Sequence, residues 1–417
     1  MPGQEEPRYY SLIEPLRESS SPCGYCHSKS DSSHTYGIWA HDLSPQVYQM
    51  MMDRGWRRSG SYLYLPDRRT TCCPPYTIRC SASGFQASRG QRQAAYRWRK
   101  FIEGATEHSG APKQQKPQST FDLCQVFNFD DAQGTPPTIK EHEFQIRIEP
   151  AAFTEEKFKL YKKYQIEVHN DQAEEVTKKS FESFLCTNPF RSDRSVAKHA
   201  CWLVDDQLIA FSVIDILPLG ISSVYLVWDT DYAKYGLGRL ASLREIAWIQ
   251  EWGASKLGEQ FDWYYLGFYI HSCPKMTYKA EYSPSFLLDP VRFSTQLPQP
   301  IYPHLIALHA MSYTCGRMSL VNKVIESTSM FTRLQSTLDW WPLEDCIPIL
   351  DASESNVTSF ASSDVNQEGK KSDRADFSVK ILTQTGAIET VKSSDPRVKE
   401  VVEKVGAEIV KLSLICI

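Results

Sequence analysis

The sequence predicts an α+β protein built from more than one unit, and three observations support this prediction. The chain has 417 residues, which is enough for two or three domains. Residues 9–104 combine clustered cysteines with a strongly basic composition, whereas residues 143–290 contain predicted helices followed by short apolar strands. Residues 105–142 are polar with Gly and Pro, as in a linker, and residues 291–417 form a C-terminal extension.

The first unit contains short predicted elements. Ser44 followed by Pro45 marks the start of a helix that reaches Arg54, because serine caps helix N-termini and proline is favoured in the first turn. Residues 61–65 alternate between apolar and polar as in a strand, and residues 91–102 have the pattern of a basic helix.

The second unit has the element order helix, helix, antiparallel meander, helix and strand. This order is typical of an acetyltransferase-like (GNAT-type) mixed sheet with flanking helices, and we predict that fold. The predicted strands are 144–148, 199–204, 208–217, 222–228 and 263–270. The predicted helices follow Thr154, span residues 171–185 and span residues 236–251. Asp205 and Asp206 predict a hairpin turn inside the meander.

The C-terminal extension has two recognisable segments. Residues 352–376 are rich in Ser, Asp and Lys and predict disorder, because such a composition cannot bury enough apolar surface. Residues 396–414 carry apolar side chains at helical spacing and predict a terminal helix that packs on the body of the protein.

Composition excludes several classes of protein. Hydrophobic residues make up 41% and charged residues 23% of the chain, as in soluble globular proteins. No run of about eighteen apolar residues occurs, so we predict no membrane span, and the N-terminus lacks the pattern of a signal peptide. Twelve cysteines without a secretory signal argue against a disulfide scaffold. We therefore expect a cytoplasmic protein, with the nucleus as a second location.

Four cysteines in two clusters are the strongest chemical signal. Cys23 and Cys26 form a Cys-x-x-Cys pair, and Cys72 and Cys73 are adjacent. Four thiolates can hold a tetrahedral metal ion or an iron–sulfur cluster. The Pro-Pro pair that follows favours a turn, which would let both adjacent side chains reach one site. The sequence leaves open four unligated thiols, or the exchange of one ligand for Cys80, His27 or His34.

Residues 51–100 carry a concentrated positive charge. Eleven Arg or Lys residues stand against Asp53 and Asp67 alone, a local net charge of +9, although the whole chain has a net charge of −4. This density predicts either a surface that binds a polyanion or a solvated basic face.

One stretch of this basic segment could recognise an anion. Residues 54–58 combine three arginines with Trp56, and Tyr62, Tyr64 and Arg79 follow. Arginine binds carboxylates and phosphates through two parallel hydrogen bonds, and aromatic rings can wall a pocket. Surface arginines stacked on aromatic rings are the alternative interpretation.

Two stretches of the second unit could bind or react with substrate. The Gly236-x-Gly238 sequence before the long helix is typical of a phosphate-binding helix start, but Ala233 stands where acetyltransferases carry Gln or Arg, which argues against coenzyme A. Residues 267–279 end an apolar strand with one His, two Lys and two Tyr, groups that serve in acid–base chemistry and anion binding.

At these residues the sequence resembles the eukaryotic arginyl-tRNA–protein transferases, over about residues 9–290. The matching stretches are CGYCHS, HTYGIWAHDLSPQVYQMMMDRGWRRSGSYLYLP, TCCPPYTIRC, VIDILP, SSVYL, SLREI and GFYIHSCPKMTYK. The resemblance implies transfer of arginine from arginyl-tRNA to the N-terminal amine of proteins that begin with Asp, Glu or oxidised Cys, which marks them for ubiquitin-dependent degradation. It also implies an N-terminal metal-binding unit, with an iron–sulfur cluster or zinc on the four clustered cysteines, and an acetyltransferase-like C-terminal unit.

Four binding tasks follow from this chemistry. We expect the guanidinium of the donor to bind Asp229 or Asp215, and the amine and its proton to meet Tyr269 and His271. For the acidic side chain of the acceptor we expect Arg54, Trp56, Arg57, Arg58, Tyr64 and Arg79. For the tRNA we expect Arg89, Arg92, Arg97, Arg99, Lys275 and Lys279.

Because the donor ester is already activated, neither ATP nor coenzyme A is needed. A non-catalytic metal-binding protein that recognises degrons or RNA, and an acetyl-coenzyme A-dependent acetyltransferase, are the alternatives.

Overall fold

The computed structural model describes residues 11–104, 121–129, 140–191, 193–288, 340–342, 378–383, 387–405 and 413–416. They form two mixed β-sheets with helices, which confirms the predicted α+β class. The segment predicted to be disordered, 352–376, lies outside the described residues. Among the helices that are described, none is long and apolar enough to cross a membrane.

The strands of the described residues are β1 (Ser11–Ser21), β2 (Ser33–Asp42), β3 (Arg57–Ser59), β4 (Tyr62–Pro66), β5 (Tyr76–Ser81), β6 (Phe144–Pro150), β7 (Ala197–Val204), β8 (Gln207–Leu217), β9 (Gly220–Trp228), β10 (Trp263–Tyr269), β11 (Ser285–Leu288), β12 (Trp340–Pro342), β13 (Ser378–Leu382), β14 (Ile388–Lys392) and β15 (Ser413–Cys416). The helices are α1 (Pro45–Met52), α2 (Arg89–Glu103), α3 (Leu123–Val126), α4 (Glu155–Tyr164), α5 (Lys178–Phe181), α6 (Leu237–Trp252), α7 (Pro274–Thr277) and α8 (Pro396–Val405). The first sheet has the order β14-β13-β15-β1-β2-β4-β3, and the second has the order β12-β11-β5-β10-β9-β8-β7-β6.

Capping side chains set the starts of the helices. The Ser44 hydroxyl accepts from the Val47 N–H over 3.2 Å, and Pro45 occupies the first turn of α1, as predicted. A capping box between Ser88 and Gln91 starts α2 two residues before the predicted helix. Thr154 caps α4, also as predicted.

Two predicted helices are shorter in the structure. In the segment 171–185, the helix α5 begins only after Thr177, whose side chain forms a capping box with Ser180. Of the predicted terminal helix of residues 396–414, the structure describes Pro396–Val405 as α8, and residues 406–412 lie outside the described residues. Residues 413–416 form β15 instead, because this apolar segment finds parallel partners on both sides, β13 and β1.

The second sheet is covered by helices on both faces, and the alternation of its strands decides which residues face which helices. On β7, Cys201 and Leu203 belong to the core formed with α4 and α5, whereas Trp202 and Val204 belong to the core formed with α2 and α6. Between β7 and β8, Asp205 and Asp206 both have positive φ values, which confirms the predicted hairpin turn.

The two sheets share chain segments. Although β5 lies in the predicted N-terminal unit, it pairs with β10 and β11 of the second sheet. Tyr265 of β10 in turn belongs to the core of the first sheet, with Trp56 and Met51. Part of the predicted linker, residues 121–129, contains α3, whose Leu123 packs in the core beneath α6. The division into units at residues 104 and 143 stays a prediction, since the structure joins both sides of it.

Candidate functional site

Strands β9 and β10 are hydrogen-bonded to each other over only part of their length. These parallel strands pair over three residues only, 220–222 with 263–265, although both strands continue further. Each strand also bulges against its other neighbour, β9 by Val224 against β8 and β10 by residues 266–267 against β5. Because bulges bend a strand and the pairing stops after residues 222 and 265, the carboxyl halves of β9 and β10 are able to separate and form a cleft.

Tyr269 and His271 lie together where β10 ends. The Tyr269 hydroxyl oxygen is 2.8 Å from Nδ1 of His271. Tyr269 is buried and His271 is half-buried, so this contact leads from the interior towards solvent. Such a pair can accept and return a proton, and the structure brings both sequence-predicted residues to the same place.

Two cations hold the bulge of β10. Arg57 donates from Nη2 to the Gly267 carbonyl oxygen over 3.1 Å, and Lys279 donates from Nζ to the Phe268 carbonyl oxygen over 2.6 Å. Both side chains are buried. Burial, together with the nearby Arg57 guanidinium, lowers the pKa of Lys279 to about 7. Lys279 was predicted to bind tRNA, but a buried ammonium bonded to a backbone carbonyl cannot meet a phosphate backbone at the surface.

Asp215 already binds a guanidinium of the protein itself. Its two carboxylate oxygens accept from Nε and Nη2 of Arg58, over 2.7 Å and 2.6 Å, and both side chains are buried. The geometry therefore gives no support to Asp215 as a ligand of the donor or to Arg58 as a ligand of the acceptor.

Arg79 also has internal partners. Its guanidinium stacks 3.6 Å from the centre of the Trp263 ring and lies 3.9 Å from Asp53. Asp53 accepts from Tyr265 over 2.7 Å and from Gln49 over 3.0 Å inside the protein. Sequence analysis missed this network, although Asp53 stood out as one of only two acids among eleven cations.

The remaining residues predicted for the acceptor differ in exposure. Trp56 is fully buried against Tyr36 in the core of the first sheet, so it forms no pocket wall. Arg54 is half-buried and donates to the Met50 carbonyl oxygen over 2.8 Å. Tyr64 packs against Phe268 with ring centres 6.2 Å apart, next to the bulge of β10.

Asp229 lies far from Asp215. The Asp229 N–H bonds to Ile209, six residues from Asp215 along β8, which corresponds to about 20 Å. One guanidinium cannot reach both carboxylates. Asp229 and Asp231 share Lys163, with oxygen–nitrogen distances of 2.6 Å and 2.9 Å. Nothing in the sequence indicated that Lys163 would pair with these two carboxylates, because it is one of several lysines on α4.

The four predicted metal ligands converge. The sulfur atoms of Cys23, Cys26, Cys72 and Cys73 all lie within 4.8 Å of one another, and the chain bends at the second pair as predicted. Burial opposes ionisation of Cys23, but hydrogen bonds from the backbone N–H groups of Cys26 and Tyr25 outweigh it and lower the pKa of this thiol to about 7. Four soft sulfur donors at this spacing fit a bound metal.

The alternative ligands lie elsewhere. Cys80 is fully buried in the core under α6, where burial raises its pKa to about 12. His34 bonds Ser20 over 3.0 Å, and neither it nor His27 belongs to the sulfur cluster. The cysteine site instead contacts the active-site strand, because Cys23 and Cys73 pack against Ile270 and Cys273 just after β10.

Helix α2 presents the predicted basic face to solvent. Arg89, Arg92 and Arg97 are exposed, and Tyr96 between them is 69% exposed. Arg99 is half-buried and pairs with Glu103 over 2.6 Å, so it contributes less to the surface charge. Lys275, on α7, is exposed as a phosphate ligand must be.

Known proteins match the same elements. The family described as "Arginine-tRNA-protein transferase, N terminus" matches residues 21–93, and "Arginine-tRNA-protein transferase, C terminus" matches residues 156–289. These ranges contain the cysteine site, the bulge of β10 and the Tyr269–His271 pair.

Named relatives agree with these families. Arginyl-tRNA–protein transferase 2 of Arabidopsis thaliana is 25% identical over 495 residues, which cover 76% of this chain and 82% of the relative. Arginyl-tRNA–protein transferase 1 of Saccharomyces cerevisiae is 31% identical over 320 residues, which cover 65% of this chain and 59% of the relative. Aspartate/glutamate leucyltransferase of Pseudomonas savastanoi is 29% identical over 255 residues, which cover 61% of this chain and 84% of the relative. The chain belongs to the arginyl-tRNA–protein transferase family.

Proposed function

We propose that this protein is an aminoacyltransferase that moves arginine from arginyl-tRNA to the N-terminal amine of proteins beginning with Asp, Glu or oxidised Cys, and so marks them for ubiquitin-dependent degradation. The observation that carries the proposal is the short pairing of β9 with β10, with Tyr269 and His271 in contact where β10 ends. The names of the relatives support an arginyl-tRNA donor, and the name of the bacterial leucyltransferase supports acidic acceptors.

The chemistry suits this site. Aminolysis of the aminoacyl ester needs a neutral α-amine, and the ordinary pKa of such an amine is about 7.7–8.0, so no strong base is required. The protein must hold amine and ester in contact and move one proton from the amine to the ribose oxygen that leaves. We assign this proton to Tyr269 and His271, because their 2.8 Å contact joins the buried end of β10 to a half-exposed imidazole.

We also propose that the second sheet is of the acetyltransferase type. In support, an antiparallel meander of β7, β8 and β9 leads through α6 to β10, which returns parallel to β9 and then diverges from it. The cleft formed in this way would receive the aminoacyl end of the tRNA. Asp229 remains our candidate for the donor guanidinium, because Asp229 and Asp231 have only one lysine between them.

For the body of the tRNA we propose the exposed face of α2 and Lys275. Arg89, Arg92 and Arg97 supply positive charge, and Tyr96 supplies a flat exposed ring on which an unpaired base can stack. Phosphate contacts of this kind fix position on the nucleic acid and make the binding salt-dependent.

For the metal we propose a single tetrahedral ion such as zinc. Ligands 2.3 Å from one tetrahedral ion lie about 3.8 Å apart, which agrees with sulfur atoms that all lie within 4.8 Å. An iron–sulfur cluster has several iron atoms among its cysteines and needs a wider spacing, so it is the alternative. The bound metal would cross-link two distant segments of chain beside the end of β10, and the transfer reaction itself would run on the residues of the cleft.

The test is transfer of labelled arginine from arginyl-tRNA to peptides that begin with Asp or with Val. We expect transfer to the Asp peptide only, and a large loss of kcat with Tyr269→Phe and His271→Ala. Absence of transfer to the Asp peptide by the intact, metal-loaded protein would refute the proposed function.

A further inference from the structure

Arg57 and Lys279 are two basic side chains buried at the bulge of β10 with no carboxylate partner among the residues that the structure describes. Arg57 is 6% exposed and Lys279 is 8% exposed. Within the described part of the chain, no carboxylate lies within 4.0 Å of either side chain, and their hydrogen bonds go to backbone carbonyl groups. Nε of Arg57 is buried and has no partner among the described residues.

The neighbouring buried arginines are different. Arg58 has both oxygens of Asp215, and Arg79 has Asp53 and the face of Trp263. Burying a charge is unfavourable unless an opposite charge or a ligand compensates for it. Arg57 lies over the Phe268 ring, 5.1 Å from its centre, but neither Arg57 nor Lys279 has a carboxylate partner among the described residues, which indicates a place where an anion can bind during function.

The pair is reachable at Gly267. This residue has φ +76°, a left-handed conformation that favours glycine, and it is half-buried. A Cβ atom at this position would lie 3.7 Å from Nζ of Lys279, and apart from its two chain neighbours no other heavy atom of the described residues would be within 4 Å of it. The missing side chain therefore leaves room for one small group directly against the ammonium.

We propose that Lys279, with Arg57, binds the side-chain carboxylate of the acceptor's N-terminal residue, through the opening at Gly267. This inference rests on the proposed arginyl transfer. The position suits it, because Lys279 bonds the carbonyl of Phe268, and Phe268 directly precedes Tyr269 of the proton path. An Asp or Glu acceptor would then present its amine to Tyr269 while its carboxylate fills the opening.

The chemistry also explains why oxidised cysteine belongs with Asp and Glu. Sulfinic and sulfonic acids are anions of similar size, whereas a cysteine thiol carries no charge at neutral pH. Charge at this place, rather than shape, would select the acceptor.

The first experiment compares kcat/KM for Asp- and Asn-initiated peptides, which have the same shape, on the wild type and on Lys279→Gln and Lys279→Arg. Loss of a charge-assisted hydrogen bond should reduce the Asp-over-Asn ratio by about tenfold to a hundredfold in Lys279→Gln, mainly through KM for the Asp peptide. Lys279→Arg should restore part of the ratio. Lys256→Gln, an exposed lysine after α6, is the control and should keep the full ratio.

A second measurement needs no variant and decides the matter if Lys279→Gln does not fold. Burial and the Arg57 guanidinium lower the pKa of the Lys279 ammonium, and Cys273 raises it. A carboxylate placed against Lys279 would raise this pKa further. Binding of an Asp-initiated dipeptide to the wild type at pH 8 should therefore take up more protons than binding of its Asn counterpart, as measured by calorimetry in two buffers of different ionisation enthalpy.

The outcomes separate this inference from the proposed function. An unchanged Asp-over-Asn ratio in folded Lys279→Gln, or equal proton uptake by both dipeptides, would overturn the carboxylate site while arginyl transfer persists. If the wild type transfers arginine to no peptide, the proposed function fails first.

Discussion

Arg58 and Asp215 illustrate how burial decides the role of a single residue. Arginine and aspartate are the residue types that bind an acidic acceptor and a cationic donor, and the sequence predicted both for those tasks. In the structure they bind each other from β3 and β8, with exposed side-chain fractions of 2% and 0%. Breaking a buried pair by removing one partner leaves an uncompensated charge, so the pair acts on stability rather than on substrate choice.

We therefore expect Arg58→Gln or Asp215→Asn to lower the free energy of unfolding by about 3–5 kcal/mol. The double variant Arg58→Met/Asp215→Leu should be less destabilised than either single variant, because it leaves no unpaired charge. Denaturant unfolding measures both, with the exposed Arg89→Gln as the control, which should change stability by less than about 0.5 kcal/mol. A loss below about 1 kcal/mol in the single variants would mean that the pair is not closed in solution.

Glu245 on α6 gives the protein a pH-dependent stability. It is 1% exposed and accepts from the Tyr264 hydroxyl over 2.8 Å. Burial raises its pKa from an ordinary value of 4.5 to about 7, so the folded state holds a proton that the unfolded state releases earlier. The protonated Glu245 carboxyl therefore makes its full contribution to the free energy of unfolding below about pH 4.5. This contribution is lost as the pH rises through about 7.

Between pH 5 and pH 8, this single group should account for a loss of roughly 3 kcal/mol in the free energy of unfolding. Glu245→Gln should remove that part of the pH dependence, as seen in denaturant unfolding at both pH values. Glu251→Gln, on the same helix and paired with Arg244 near the surface, should leave it in place. Identical pH profiles for the wild type and Glu245→Gln would show that Glu245 keeps its ordinary pKa.

The two faces of helix α2 differ, and we propose that only the exposed one binds tRNA. Ala94, Trp98 and Ile102 pack it against the second sheet, while Arg89 and Arg92 point away from this core. The helical period of 3.6 residues makes this separation possible within fifteen residues. The exposed face is therefore open to the tRNA without any cost to packing.

Replacing Arg89, Arg92 and Arg97 together by Gln removes three positive charges. If each arginine contacts one phosphate, the slope of log affinity for tRNA against log salt concentration should become shallower by roughly 2–3. Filter binding or fluorescence anisotropy across a salt series measures the slope. Lys159→Gln/Lys178→Gln/Lys179→Gln, which removes the same charge from other exposed positions, is the matched control. Equal slopes for the two triple variants would mean that tRNA lies elsewhere.

At the scale of the whole molecule, the cysteine site lies between the first sheet and the end of β10. Cys23 follows β1 and Cys73 precedes β5, and both belong to one buried cluster with Ile270, which directly follows β10. A metal on these cysteines would fix two distant segments of chain against the position where Tyr269 and His271 lie. Metal binding, folding of the first sheet and transfer activity should therefore be coupled.

Cys72→Ser and Cys73→Ser should each lose bound metal, lower the unfolding temperature and reduce arginyl transfer. Elemental analysis and absorption spectra measure the metal and distinguish zinc from an iron–sulfur cluster. Cys124→Ser and Cys186→Ser, at half-buried positions outside the cluster, should keep their metal. Unchanged metal content after replacement of all four clustered cysteines would exclude this site.

Local patterns were sufficient for much of the secondary structure and for the four-cysteine cluster. Ser44 and Thr154 cap the helices predicted from them, and the meander of β7, β8 and β9 follows from its apolar runs and turn residues. The two cysteine pairs predicted their own convergence, because thiolates at such spacing have few uses other than binding a metal. These features depend on interactions between residues close in sequence or on residue types with one common role.

Tertiary structure decided which charged side chains remain available. Nothing local distinguishes Arg57 from Arg58. Within the described ranges Arg57 has no carboxylate partner, whereas Arg58 has one 157 residues away on β8. Likewise, Lys275 and Lys279 stand four residues apart, yet one is exposed and the other is buried beneath the bulge of β10. Sequence determined the family, most of the elements and the cysteine cluster. Burial and long-range pairing, which only the fold creates, determined which residues can meet a substrate.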